Sequence, residues 1–246
     1  MLPKRVYAKV NLDNIQKNMQ AVREKFGEDM TIMGIVKANA YGHGAVRVAK
    51  ALVEYGAGML GVAAIDEAVE LRENGINAPI LILGQIFRQD YAAAIENNVT
   101  CTVVDIVTAQ GLSKKATEMG KVAKVHIKID TGFGRYGFVY QRKEEIVKII
   151  QTWKNIEIEG MFSHFSLSFY GNGKEVRKQC ARFIECVEKL KENGIEPQML
   201  HICNSCAVLR FPNMHLNAVR VGSILLGRLA IPDKWGFKKV GYLRSN

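Results

Sequence analysis

Eight short apolar runs, each stopping at a polar or turn residue, most tightly restrict how this chain can fold. They read TIMGIVK (31–37), GMLGVAA (58–64), PILILG (79–84), TCTVVD (100–105), KVHIKID (124–130), EIEGMFSH (157–164), QMLHICN (198–204) and NAVRVG (217–222). Between most of them lie segments such as AVRVAKALVEYG, AIDEAVELRENG and QCARFIECVEKLKENG, whose apolar residues recur at helical spacing and which close on a glycine where a C-cap belongs. Near-continuous apolar strands alternating with amphipathic helices indicate a parallel sheet covered by helices, an α/β fold. Eight such units in 246 residues suit a closed (β/α)8 TIM-type barrel. An open doubly wound sheet of six or seven strands is the alternative. The opening YAKVNLDNIQKNMQAVREKF supplies a strand and a helix ahead of the first barrel strand, with Asp13 as the expected N-cap. No Pro-, Ser- or Gly-rich linker divides the chain, so a single domain is expected.

Composition then narrows the function classes. The N-terminus MLPKRVYAKVNLDNI lacks an apolar core and a small-residue cleavage site, and no window approaches 18 uninterrupted apolar residues, which implies a soluble, cytoplasmic protein with no membrane association. Five cysteines in a chain this long are an odd and sparse set, fitting reduced thiols better than a disulfide framework. The formal charge of +10 is spread along the chain and has no interleaved aromatic stripe. A solvated basic surface that attracts small anions fits this better than nucleic-acid binding.

In such barrels chemistry gathers at the C-terminal ends of the strands. Here the runs stop at Lys37, at Asp130 followed by TGFGR, at His164, at Asn204 and Ser205, and at Arg220, Gly222 and Ser223. Loops after the last two strands commonly build phosphate sites, and these read NSCA and GSILLG. An amine opposite a phosphate cradle fits a phosphorylated aldehyde held as an imine, which is how pyridoxal 5'-phosphate is bound. A lysine that only ends its strand in water is the plainer reading, and its companions weigh against it. GFGRYG (132–137) has the form of a dinucleotide fingerprint with Glu157 beyond it, yet it follows the fifth strand of the series and not the first. CNSC (203–206) has C-x-x-C spacing but no second pair, so small core residues are expected there and no metal site. His43 and His201 read as structural hydrogen-bonders, His126 as a packing residue, and Met59, Met161 and Met199 as barrel filling.

VKANAYGHGA, HIKIDTGFGRYGF, MFSHF, and HICNSCAVLRFP followed by AVRVGSILLG, taken in this order, resemble the alanine racemase family across essentially the whole chain. The resemblance implies a fold-type III pyridoxal-phosphate enzyme. Lys37 would bind the cofactor as a Schiff base and act as the base on one face of the substrate. Tyr41, Asn204, Ser205, Gly222 and Ser223 would hold the phosphate, and His164 would pack on the ring. Arg220 would meet the pyridine nitrogen, donating to it without readily protonating it because a guanidinium stays charged. Arg135 would contact the substrate carboxylate or the phenolic oxygen, and Lys128 is the candidate for a carbamylated lysine that orients Arg135. The expected domains are a barrel over 1–230 and, over 231–246, the start of a connection to a C-terminal β-domain that is absent here. In the family that domain brings the second base, a tyrosine of the neighbouring subunit, so a homodimer is expected of the full-length protein and poor activity of this part alone. The substrate would be a small amino acid, alanine first and serine second. A barrel-only pyridoxal-phosphate carrier is the alternative from a different class; a decarboxylase-type relative matches the motifs less well.

Overall fold

The computed structural model describes residues 6–229, 231–233 and 235–245. The chain opens with β1 (Val6–Val10) and α1 (Leu12–Phe26). Asn11, not Asp13, caps α1: its backbone is extended, and its side-chain oxygen accepts from the N–H groups of Asp13 at 3.0 Å and Asn14 at 3.4 Å. Asp13 lies one position inside the helix, where a carboxylate favours the positive end of the dipole without capping it.

The eight apolar runs become eight parallel strands. They are β2 (Thr31–Ile35), β3 (Met59–Val62), β4 (Ile80–Ile82), β5 (Cys101–Val103), β6 (Ala123–Asp130), β8 (Ile156–Phe162), β9 (Met199–His201) and β10 (Ala218–Val221), with a two-residue β7 (Phe138–Val139) against β6. Their spatial order is β4-β3-β2-β10-β9-β8-β6-β5. The two ends of this order meet: Leu81 bridges Thr100, the Ile82 N–H donates to Thr100 O and the Thr100 N–H to Ile80 O, both at 2.9 Å. The sheet therefore curls into a barrel and leaves no free edge at β4 or β5, which sets aside the open doubly wound alternative. Most strands stop a residue or two before their apolar runs do, because the last residues of each run turn into the loops that carry the polar groups.

Outside the ring lie α3 (Ala45–Glu54), α4 (Ile65–Glu73), α5 (Tyr91–Glu96), α6 (Ile106–Glu118), α7 (Lys143–Ile150), α8 (Lys174–Lys191) and α9 (Ser205–Arg210); α2 (Lys37–Gly42) is a single unusual turn treated below. The helix α8 shows why they stay there: Val176, Gln179, Phe183, Cys186, Val187 and Leu190 recur every three or four residues and are all buried. The main core fills the space between helices and sheet. A second, smaller core of Met33, Ile35, Met59 and Leu81 lies on β2–β4. Gly61 makes room for it, since a Cβ there would fall 2.5 Å from Ile35 Cδ1. Across the register of β5–β9, Thr102 pairs with His126, His126 with Gly160, and Lys128 with Phe162, which pairs with His201. Gly160 seats the His126 ring, which a Cβ would meet at 2.5 Å. A bulge between Val125 and His126 leaves Glu159 unpaired, and its carboxylate turns to Thr100 Oγ1 (2.7 Å) and Lys124 (3.1 Å).

The leading strand stays out of the barrel. It pairs antiparallel with β11 (Gly241–Ser245), from Val6↔Ser245 to Val10↔Gly241. Asn18 anchors the returning segment: its amide donates to Leu225 O (3.0 Å) and Lys238 O (2.7 Å), and its oxygen accepts from the Lys238 N–H (2.6 Å). Among the described residues no helix is long and apolar enough to cross a membrane.

Candidate active site

Lys37 does not end a strand. β2 stops at Ile35, Val36 follows, and Lys37 opens α2, in which Ala38, Asn39, Ala40 and Tyr41 all have left-handed backbones with φ of 51°, 53°, 50° and 53°. Such a run costs L-residues on the order of 1–2 kcal/mol each, so surrounding bonds must hold it. The Ala40 N–H donates to Val36 O (2.7 Å), the Ala45 N–H to Asn39 Oδ1 (2.7 Å), and the Ala38 N–H to Glu67 Oε1 (2.6 Å). The other oxygen of Glu67 accepts from the Ala63 N–H, also at 2.6 Å. The turn places Lys37 and Tyr41 on the same cleft. Tyr41 lies against Gly222, where a Cβ would fall 2.9 Å from its hydroxyl. Burial pushes the Tyr41 phenol up, with Arg228 opposing the shift and Glu67 adding to it.

The cleft, about 390 Å³, sits at the C-terminal ends of the strands. Lys37, Tyr41, Arg135, His164, Asn204, Ser205, Arg220, Gly222 and Ser223 all line it, between apolar walls from Ile35, Leu83 and Phe162. Asn204 is not the end of β9 but the N-cap of α9, its oxygen accepting from the N–H groups of Cys206 (3.1 Å) and Ala207 (3.0 Å). Ser205 Oγ accepts from the Gly222 N–H (3.0 Å), which ties the loops after β9 and β10 together.

Arg220 lies within β10, not at its end, and is nearly inaccessible. One terminal nitrogen donates to His201 Nδ1 (2.7 Å) and His201 O (3.1 Å); the other donates to Ser163 O (2.9 Å), His164 Nδ1 (3.0 Å) and Ile202 O (3.2 Å). Every one of these acceptors is uncharged. Desolvation lowers the guanidinium to about 10, which leaves it cationic at neutral pH. It also fixes its neighbours: burial first and the Arg220 charge second push His126 down to about 3 and His164 down to about 2, and hold His201 well below its ordinary value. Because His201 Nδ1 accepts from Arg220, its proton is on Nε2 and points to His126 Nδ1, 2.8 Å away.

The loop after β6 is wound on Asp130, whose carboxylate accepts from the N–H groups of Gly132 (2.8 Å), Phe133 (2.8 Å) and Gly134 (2.9 Å). That winding, followed by β7 and no helix N-terminus, is not the strand-turn-helix a dinucleotide fingerprint requires. It leaves Arg135 exposed at the mouth, its guanidinium over Phe133 (4.6 Å). Lys128 does not line the cleft. It is buried behind Tyr136, with Nζ 3.4 Å from that ring's centroid, and burial, then the charges of Arg135 and Arg220, lower its amine to about 7.

One further residue lines the cleft, and two others support it from outside. Tyr136, which donates to Leu83 O at 2.9 Å and covers Lys128, adjoins Arg135 in the chain, and that adjacency was its available signal. His201 is the structural hydrogen-bonder expected, bonded to Arg220 and His126, and its place beside Arg220 follows from β9 and β10 being neighbours. Glu67 stands three residues past Ala64, a helix start with no side chain able to cap it. The residues present suit an anionic aldehyde on a flat ring: an amine, neighbouring hydroxyls at a glycine that leaves room, a neutral imidazole and a buried cation.

The comparisons agree with this geometry. The model of the family described as alanine racemase, N-terminal domain, matches residues 10–229. The chain is 39% identical over 223 residues to an alanine racemase of Methanococcus maripaludis, covering 90% of this chain and 60% of that protein. It is 42% identical over 219 residues to alanine racemase 2 of Caldanaerobacter subterraneus subsp. tengcongensis, covering 89% and 56%. The solved alanine racemase of Clostridium difficile 630 superposes with a TM-score of 0.92 at 36% identity, over 100% of this chain and 65% of that one. The chain thus spans roughly three fifths of the length of these relatives. With barrel, cleft and family model in accord, the chain belongs to the alanine racemase N-terminal domain family.

Proposed function

We propose that the chain is the cofactor-binding part of a pyridoxal-phosphate-dependent, cytoplasmic alanine racemase that interconverts L- and D-alanine. The observation that carries this reading is the convergence in one cleft of the Lys37 amine, the Ser205–Gly222 junction and the buried Arg220 cation. Bound there, pyridoxal 5'-phosphate supplies an electron sink that makes the α-proton of an amino acid removable. Tyr41, Asn204, Ser205, Gly222 and Ser223 would hold its phosphate, Lys37 would bind its aldehyde carbon with loss of water, and the neutral His164 would pack on its ring. Arg220 donates to the ring nitrogen and keeps its own proton, being cationic far above neutrality. Once the substrate amine has displaced it from the aldehyde carbon, the freed Lys37 Nζ would take or return the α-proton on one face of the substrate. Arg135 receives the substrate carboxylate. Lys128, with a large unprotonated fraction near pH 7, carries a carbamate whose carboxylate orients Arg135.

The barrel domain is assigned residues 1–230 in this reading, with the leading strand β1 outside the ring, and 231–246 would lead toward the β-domain of longer relatives, which would bring a second base from the partner in a homodimer. Serine is the second substrate to test. The experiment is absorbance of the chain with pyridoxal 5'-phosphate before and after borohydride, with peptide mapping. A visible-edge band reduced onto Lys37, absent in Lys37→Ala, is the expected outcome, and the same labelled peptide from Lys37→Ala would refute it. Exchange of the α-proton of one alanine enantiomer in deuterated water separates a racemase part from a carrier, which would exchange neither.

A further inference from the structure

We propose that Glu67 is a positioning residue for Lys37, a role that rests on Lys37 being the cofactor amine. Glu67 is the third residue of α4, from which a glutamate can reach back to the N–H groups ahead of its helix. One oxygen does so, at Ala63; the other crosses to Ala38, 29 residues earlier in the chain. Ala38 directly follows Lys37 and is the first of the four left-handed residues. Its N–H belongs to the peptide plane that joins it to Lys37. Holding that N–H sets the Lys37 ψ angle and so the start of α2, from which Lys37 and Tyr41 reach the cleft. A carboxylate suits the task because both its oxygens accept. An amide offers one acceptor and turns its own N–H groups against a backbone donor. The clamp also joins the loop after β2 to the loop after β3, so the lysine turn is held against the barrel rim from outside the cleft.

The competing role is capping of α4 alone, and rescue distinguishes the two. Glycine takes a left-handed backbone freely, so Ala38→Gly should relieve the need for the clamp. Glu67→Gln, Glu70→Gln as an exposed control on the same helix, and Glu67→Gln with Ala38→Gly are compared with the parent chain. In Glu67→Gln we expect the Ala38 amide to exchange about ten- to a hundredfold faster without cofactor, as for loss of a charge-assisted bond. Borohydride-trapped labelling of Lys37 by pyridoxal 5'-phosphate should slow by a similar factor, Glu70→Gln should match the parent, and Ala38→Gly should recover most of the loss. Parent-like labelling in Glu67→Gln overturns the proposal, as does a slowed rate that Ala38→Gly leaves unrescued, since that is the mark of a helix cap. A parent chain that is never labelled at Lys37 refutes the cofactor reading instead, and the Ala38 exchange rate then decides the clamp alone.

Discussion

The two sides of the barrel interior are built from opposite materials. On β2–β4 the inner face is Met33, Ile35, Met59 and Leu81, ordinary close packing. On β6–β10 it is His126, Lys128, His201 and Arg220, with no more than 4% of any of them accessible to solvent. The apolar side needs no function to explain it. The polar side is costly to desolvate and is tolerated only because its groups are hydrogen-bonded or driven neutral. The contrast concerns the inner faces alone: the β2–β4 face is apolar and the β6–β10 face polar, while the cleft above them draws Lys37 and Tyr41 from the loop after β2 and His164, Asn204 and Gly222 from the other side.

The largest effect separating the sides should be the acid limb of unfolding. His126, His164 and His201 stay neutral in the fold down to about pH 3 or below, while unfolded histidines protonate near 6.5. Between those values the unfolded state binds more protons, so stability falls as pH falls. The three together should contribute a slope of about 4 kcal/mol per pH unit. Urea unfolding at stepped pH measures it, and His126→Gln should remove about a third; an unchanged slope would mean the histidines are not buried as described.

Next is Arg220→Met. In the racemase proposed above it should lower kcat/KM by about 10²–10³-fold, as for loss of a preorganised donor, while unfolding free energy drops by about 1–3 kcal/mol from the orphaned carbonyls. Leu81→Ala is its mirror image on the apolar side: about 2–5 kcal/mol of stability lost, with cofactor labelling of Lys37 unchanged. Equal effects of both variants on labelling would erase the distinction between the sides. The smallest effect concerns Lys128, whose amine is at about 7 in the fold and near 10.4 unfolded. The unfolded state holds the extra proton between these values, so stability should rise with pH from 7 to about 10, and the penalty is complete below 7. In carbonate-free buffer at pH 6, Lys128→Met should gain about 1–4 kcal/mol and lose that rise, measured again by urea unfolding.

Most of the fold was legible because burial writes itself into periodicity. Each of the eight strands lies within or overlaps its apolar run, and six of the runs end on or beside a residue that lines the cleft, while those ending at Asp105 and Asp130 do not. The roles proposed for them rest on the family resemblance. Composition and spacing alone reached no further than an amine facing a phosphate cradle. Capping was less legible: Asn11 and Asp13 are both good N-cap types, and only the backbone angle at Asn11 separates them.

What the sequence determined by itself, then, is the local part: which segments are strands, which helices cover them, and which polar residues lie close to the strand ends. Local periodicity cannot tell whether eight parallel strands close on themselves, and that was decided by the Leu81–Thr100 bridge between strands at opposite ends of the order. Nor can it show four L-residues in a left-handed turn after Lys37, since propensity disfavours each and only distant partners such as Glu67 make the run tolerable. The same holds for the His126–His201–Arg220 chain, whose members lie up to 94 positions apart and meet because the ring brings their strands side by side. Depressed basicity in that chain comes from desolvation, a property of the closed barrel that no single segment carries.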